Sequence, residues 1–203
     1  MKLKFCGLTR MQDILAANAA RPDYVGFVFA DSRRRVTEEQ AARLRAQLAP
    51  GIQAVGVFVN DEPERIAALA NAGVIDLVQL HGGESRAYLD RLRGMTDAPV
   101  LYAVRVGTHA DIERVKDYPV EFLLLDASVK GICGGSGRTF DWSLIGAVEK
   151  PYFLAGGIDE SNLSRALRTG AYALDLSSGI ETDGVKDETK MRRVAALVRG
   201  EQP

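Results

Sequence analysis

Two histidines, two cysteines and one tryptophan are all that 203 residues carry of those types. So few imidazoles and thiols leave little to build a metal centre from. No cluster of His, Cys or Asp has the spacing of metal ligands, so no metal is expected. A disulfide framework is excluded by the same scarcity. Only Cys6 and Cys133 can pair, and a chain of this length can bury a core without such a staple. An excess of one charge is also missing: 26 Lys and Arg face 27 Asp and Glu, a formal net charge of -1. Neither nucleic acid nor an anionic membrane is therefore an expected partner. Long apolar runs are lacking too; residues 120–127 include two acids and are far too short to cross a bilayer. Met1-Lys2-Leu3-Lys4-Phe5-Cys6-Gly7 holds no apolar signal core and runs into a strand-like segment, so a cytoplasmic protein with reduced thiols is expected.

What is present is ordinary for a soluble globular chain, with 46% hydrophobic and 26% charged residues. Its partner is then expected to be a small molecule. Any anionic ligand has to be held by local donors.

Short runs rich in Val, Phe, Leu and Tyr recur along the chain, each followed by a longer amphipathic stretch. The strands are expected at 2–6, 24–29, 53–59, 77–80, 100–106, 122–125, 152–155 and 173–176. Most are apolar nearly throughout, the pattern of parallel strands covered by helices. Helices are expected at 11–20, 38–48, 63–72, 85–93, 110–117, 143–148, 160–169 and 188–198. The first places Met11, Ile14 and Leu15 on one face. The second places Ala41, Leu44 and Leu48 on one stripe. Thr37, Ser85 and Asp159 stand where helix caps are wanted. Eight strand–helix units in about 200 residues fit a single (β/α)₈ barrel over 1–203, at the short end of its size range. An open doubly wound sheet usually carries a glycine-rich fingerprint after its first strand, and Gly7-Leu8-Thr9 lacks one.

Barrel sites form where strands end. Cys6 closes the first strand. It is either a small buried hydrophobe or, with Gly7 leaving the backbone approachable, a base whose thiolate nearby positive charge can favour. Asp126 follows Phe122-Leu123-Leu124-Leu125, where a carboxylate needs partners. It either caps a loop turn or acts as a general acid in an apolar mouth. Asp175 is a second carboxylate, suited equally to structure or to accepting hydrogen bonds from a substrate. His81 ends the fourth strand and reads as a structural group or a site residue, whereas His109 looks exposed at a helix start. Gly156-Gly157 after the seventh strand and Ser177-Ser178-Gly179 after the eighth stand where barrels hold phosphate. Arg33, Arg34 and Arg35 form either a solvated charge run or the source of one carboxylate clamp. The segment from Gly131 to Arg138, with four glycines and Cys133, reads as a lid or as a plain connection.

These segments together resemble the phosphoribosylanthranilate isomerase family of tryptophan biosynthesis. The resemblance rests on Lys4-Phe5-Cys6-Gly7-Leu8-Thr9, Gln79-Leu80-His81-Gly82, Leu125-Asp126, Ala155-Gly156-Gly157 and Asp175-Leu176-Ser177-Ser178-Gly179-Ile180-Glu181. They run in order from the first strand to the last. The resemblance implies an Amadori rearrangement without metal or organic cofactor. By it, Asp126 protonates the ribose ring oxygen and Cys6 removes the C2 proton. Arg34 is implied to hold the anthranilate carboxylate, with Asp175 near the substrate's amino group. Gly157 and the Ser177–Gly179 turn are implied to contact the phosphate. A monomer or a homodimer is expected. Two alternatives stand beside this: another sugar-phosphate isomerase or epimerase on the same scaffold, and a phosphate-binding sensor without turnover.

Overall fold

The computed structural model describes residues 1–127, 141–146 and 148–201, with Ala127 as backbone alone. The glycine-bearing segment 131–138, with Cys133, lies outside the described residues. Eight parallel strands close into a barrel in sequence order: β1 Lys2–Cys6, β2 Tyr24–Val28, β3 Gln53–Phe58, β4 Leu77–Leu80, β5 Val100–Val106, β6 Phe122–Ala127, β7 Tyr152–Leu154 and β8 Ala173–Leu176. Closure comes from β8 returning to β1, where Lys4 pairs with Asp175. Around it run α1 Met11–Ala20, α2 Glu38–Arg45, α3 Pro63–Asn71, α4 Arg86–Arg93, α5 His109–Glu113, α6 Leu163–Ala166 and α7 Glu188–Arg199. Right-handed strand–helix–strand crossovers of this kind bury both faces of every strand, which is why the runs are apolar throughout.

Alternation along each strand sorts the core into two layers. Inside the barrel lie Tyr24, Val55, Leu77, Leu101, Leu124 and Phe153. Between barrel and helices lie residues such as Phe5, Phe27, Ile14, Val78 and Leu89. The N-terminal end of the barrel is stoppered by aromatics: Phe153 packs on Tyr24 at 5.2 Å and on Phe122 at 5.5 Å, and Phe122 stacks on Tyr172. The Tyr24 and Tyr172 hydroxyls meet at 3.2 Å across that plug.

Several local expectations need correcting. Met11 and Leu15 do not share a buried face; they are 41% and 60% exposed, and α1 buries Asp13, Ile14, Ala16, Ala17 and Ala20 instead. Asp13 sets that rotation, because its carboxylate accepts from the Thr9 and Arg10 N–H groups and is held by the Arg10 guanidinium. Thr37 and Ser85 do cap their helices, accepting from Gln40 and Tyr88 N–H. Asp159 does not cap α6, whose N-cap is Asn162. Asn162 accepts from the Asp159 N–H and donates to the Gly157 carbonyl, drawing the residues before α6 into a turn where a longer helix was expected. The helix expected at 143–148 is a 3₁₀ turn, Trp142–Ile145, ended by Gly146 at φ 60°. β6 runs past residue 125, since Asp126 and Ala127 pair with Arg105 and Val106 of β5. After β8 a short hairpin, β9 Glu181–Thr182 with β10 Val185–Lys186, has no counterpart among the expected elements.

Candidate active site

A cavity opens at the C-terminal mouth of the barrel, where strand ends bring distant residues together. Cys6, Arg34, His81, Asp126 and Asp175 all line it. Gly156, Gly157, Ser177 and Ser178 line it as well. Gly179 stands behind the wall: a Cβ there would lie 2.0 Å from the Ile158 carbonyl oxygen, so only glycine lets the turns after β7 and β8 approach this closely. Gly156 and Gly157 adopt φ of 85° and 64°, conformations that L side chains rarely take.

Cys6 is buried on the inner face of β1, and burial pushes its thiol up from the ordinary range. Positive charge does stand nearby, on Lys4 and Lys186, but it only partly offsets the burial. The Cys6 carbonyl accepts from the Ser177 hydroxyl at 3.1 Å, tying β1 to the turn after β8. Gly7 adopts φ 80°, and the room it leaves is taken by the Arg34 side chain: a Cβ would meet Arg34 Cδ at 2.3 Å.

Asp126 faces the same cavity from β6, with its Oδ2 3.4 Å from His81 Nε2. The Gln79 side-chain amide reaches His81 Nδ1 at 3.1 Å, so β4 supplies a polar file directed at Asp126. Asp175 is held through Oδ2 by the Lys4 ammonium at 2.9 Å. Among the described residues, Gln79 Oε1 and Asp175 Oδ1 are buried without a hydrogen-bond partner, and His81 Nε2 has Asp126 at 3.4 Å as its neighbour. Buried polar atoms are nearly always satisfied. Two unsatisfied atoms on one cavity mark a place built for a polar ligand.

Of the three arginines, Arg34 is the one on the wall. Its side chain is 16% exposed against 59% for Arg33, and Arg35 is exposed at the surface. Glu181 of β9 accepts from Arg34 Nε at 2.8 Å and Nη2 at 2.9 Å. It also accepts from Lys186 Nζ at 2.7 Å and from Arg33 Nη2 at 2.8 Å. Burial would raise the Glu181 carboxyl, but the bonds from Arg34 and Lys186 outweigh it and hold the group below the usual carboxylate range. Lys186 is held below the ordinary lysine range by burial, which its Glu181 partner only partly offsets.

Lys4, Glu181 and Lys186 were not singled out from the sequence. Lys4 had a signal, since two-residue alternation puts it on the same strand face as Cys6. Glu181 lies within the Asp175–Glu181 motif, but its role depends on a hairpin that periodicity does not reveal. Among the described residues, no three His, Cys, Asp or Glu side chains group as metal ligands, and no helix is long and apolar enough to cross a membrane.

A closed parallel barrel whose polar groups gather at its C-terminal mouth is the architecture of a (β/α)₈-barrel enzyme acting on a small polar molecule. The particular family follows from comparison with known proteins. The chain belongs to the N-(5'-phosphoribosyl)anthranilate isomerase family, whose description matches residues 3–196. A relative of that name from Endomicrobium trichonymphae is 43% identical over 199 residues, covering 98% of each chain. The crystal structure of phosphoribosyl anthranilate isomerase from Thermotoga maritima superimposes with a TM-score of 0.88 at 34% identity, covering 98% of this chain and 99% of that one. A second structure, phosphoribosyl anthranilate isomerase in complex with reduced 1-(o-carboxyphenylamino)-1-deoxyribulose 5-phosphate, aligns with a TM-score of 0.85 at 33% identity over 98% and 99% of the two chains.

Proposed function

We propose that this chain converts N-(5'-phosphoribosyl)anthranilate to 1-(2-carboxyphenylamino)-1-deoxyribulose 5-phosphate, using Asp126 as general acid and Cys6 as general base. The observation that carries the assignment of roles is the pairing of a carboxyl group on β6 with a thiol on β1 across one cavity. A binding site alone needs no such pair, whereas moving a proton between adjacent carbons needs both.

In this mechanism Asp126 gives its proton to the ribose ring oxygen. The bond from that oxygen to C1 breaks, and the anilino nitrogen's lone pair forms the Schiff base. Cys6, as thiolate, takes the proton from C2, and those electrons return through the C1–N double bond to give the enolamine. Loss of the C2 hydroxyl proton and protonation at C1 give the ketone. The steps are proton transfers and one ring C–O cleavage, and C1 is reduced as C2 is oxidised within the same molecule, so the balance needs no outside redox agent. Asp175 Oδ1 accepts from the substrate's amino group, and His81 orients Asp126. Arg34 receives the anthranilate carboxylate. The turns at Gly156-Gly157 and Ser177-Ser178-Gly179 cradle the phosphate through backbone N–H groups and hydroxyls.

The acid, the base, Arg34 and Asp175 all come from one chain, which supports a working unit that is a monomer or a homodimer with self-contained sites. A buried thiol serving as base supports residence in a reducing compartment, the cytoplasm.

The test is the fluorescence of the substrate, generated in situ, followed after adding protein in EDTA. Rapid decay that disappears in Asp126→Asn is the expected result. Undiminished decay in that variant would remove Asp126 as the acid, and absence of decay in the wild type would remove the reaction.

A further inference from the structure

Above a barrel layer filled by Val, Leu and aromatic side chains, the mouth holds a lysine that the acid–base chemistry does not use. Lys4 is fully buried. Its ammonium bonds Asp175 at 2.9 Å, and the two residues are register partners on β1 and β8. Charges are seldom taken this far from water, because desolvation can cost as much as the pairing returns. As a structural filler the pair gains nothing over the leucines of the layer below.

The second observation is Gly26, the register partner of Cys6 on β2. A Cβ at that position would lie 2.7 Å from Cys6 Sγ and 3.3 Å from Lys4 Nζ. Sulfur and ammonium therefore converge on the same side-chain-free point. They lie within the roughly 4–6 Å over which an opposite charge favours an ionised partner.

We propose that Lys4 is a positioning residue for the base: locked against Asp175, it supplies the counter-charge that lets Cys6 stand as a thiolate at the cavity. The thiol's own proton leaves to water, and the thiolate then takes the C2 proton of the substrate. Other charges face the sulfur. Asp175 on β8 opposes the thiolate, and Lys186 on β10 favours it. Arg34 crosses Gly7 beside it, and His81 and Asp126 line the cavity from β4 and β6. Lys4 bonds Asp175 and faces Cys6, so its charge opposes that of Asp175 at the sulfur. Burial raises the free thiol and Lys4 pulls it back, so removing the lysine lets burial act unopposed by it.

This role rests on Cys6 as the base, but its test needs no substrate. Alkylation of Cys6 by iodoacetamide is followed against pH by mass spectrometry of the Cys6 peptide, for the wild type and for Lys4→Met, Asp175→Asn and the double variant. In Lys4→Met the rate at neutral pH is expected to fall about tenfold or more, with its rise displaced to higher pH. Asp175→Asn is expected to react faster than the wild type, and adding Lys4→Met to it is expected to reverse that gain. The double variant leaves no lone buried charge, so if Lys4→Met alone fails to fold, its comparison with Asp175→Asn decides. A Lys4→Met profile superimposable on the wild type, or a double variant matching Asp175→Asn, overturns the proposal. A wild type that titrates as described yet turns over no substrate condemns the isomerase reading and leaves Lys4 as the counter-charge of the Cys6 thiolate.

Discussion

Glu181 grips Arg34 with both carboxylate oxygens, at 2.8 and 2.9 Å, from a hairpin that follows the last strand of the barrel. Arg34 sits in the loop after the second strand, so the contact joins segments 147 residues apart in sequence. It uses Nε and one Nη2 bond and leaves Nη1 for another acceptor. A planar guanidinium fixed on one edge is pre-oriented for a carboxylate on the other.

Glu181→Gln is accordingly expected to raise KM for the anthranilate substrate about tenfold, the equivalent of one charge-assisted hydrogen bond's difference, with a smaller effect on kcat. Arg34→Ala should raise KM at least as far. Steady-state kinetics of both, with Arg33→Ala beside them, assign the clamp. A KM effect in Arg33→Ala alone would move it to that residue.

Cys6→Ser and Asp126→Asn should each lower kcat by roughly 10²- to 10⁴-fold with little change in KM, the range of a single general acid or base. A wild-type kcat in either variant takes that residue out of the chemistry.

Gly26→Ala forces its Cβ against the Cys6 sulfur. The nearest atom is the sulfur at 2.7 Å, with the Cys6 Cα next at 3.2 Å, so the fold should survive at some cost in stability while kcat drops as the thiol is displaced. A folded variant that still unfolds cooperatively, together with at least a tenfold loss of kcat, is the expected pair of results. Full activity would show that the thiol can shift without cost.

Gly179→Ala is the contrasting case, since its Cβ would strike the Ile158 carbonyl oxygen. Overpacking against backbone costs about 1–3 kcal/mol, and in a chain of this size that lowers Tm by several degrees. Calorimetry of the variant measures it directly, and an unchanged Tm would mean the two turns can separate freely.

The Glu181 carboxyl lies below its unfolded-state range because Arg34 and Lys186 bind it, against the raising effect of burial. A carboxyl depressed in the folded state adds stability that is present above the unfolded value and is lost as pH falls through the folded one. Unfolding followed across the acid range should therefore show a steeper loss of stability in the wild type than in Glu181→Gln. Parallel acid limbs would mean the group adds no such linkage.

The barrel was legible in the sequence because its strands are buried on both faces: β1, β4, β5 and β8 occupy the residues their apolar runs indicate. Ends that depend on a neighbour were less legible. β6 extends to Ala127 because β5 offers it partners, and the stretch before α6 is a turn because Asn162 bonds Gly157 and Asp159. The buried face of α1 was misread for a similar reason, since Asp13, a charged residue, turns inward to bind the backbone ahead of it.

The sequence by itself determined the eightfold alternation and the residues at or beside the strand ends: Cys6, His81, Asp126 and Asp175 at the barrel mouth, with glycines at the two turns. Apolar periodicity and turn chemistry are local, and they fix which residues can end where. Only the tertiary structure decided which charges meet. Lys4 finds Asp175 through the register of β1 with β8, and Arg34 finds Glu181 through a hairpin that folds back over the mouth. Electrostatic partners act through space, and in a closed barrel the distance between two charges depends on strand register rather than on separation along the chain.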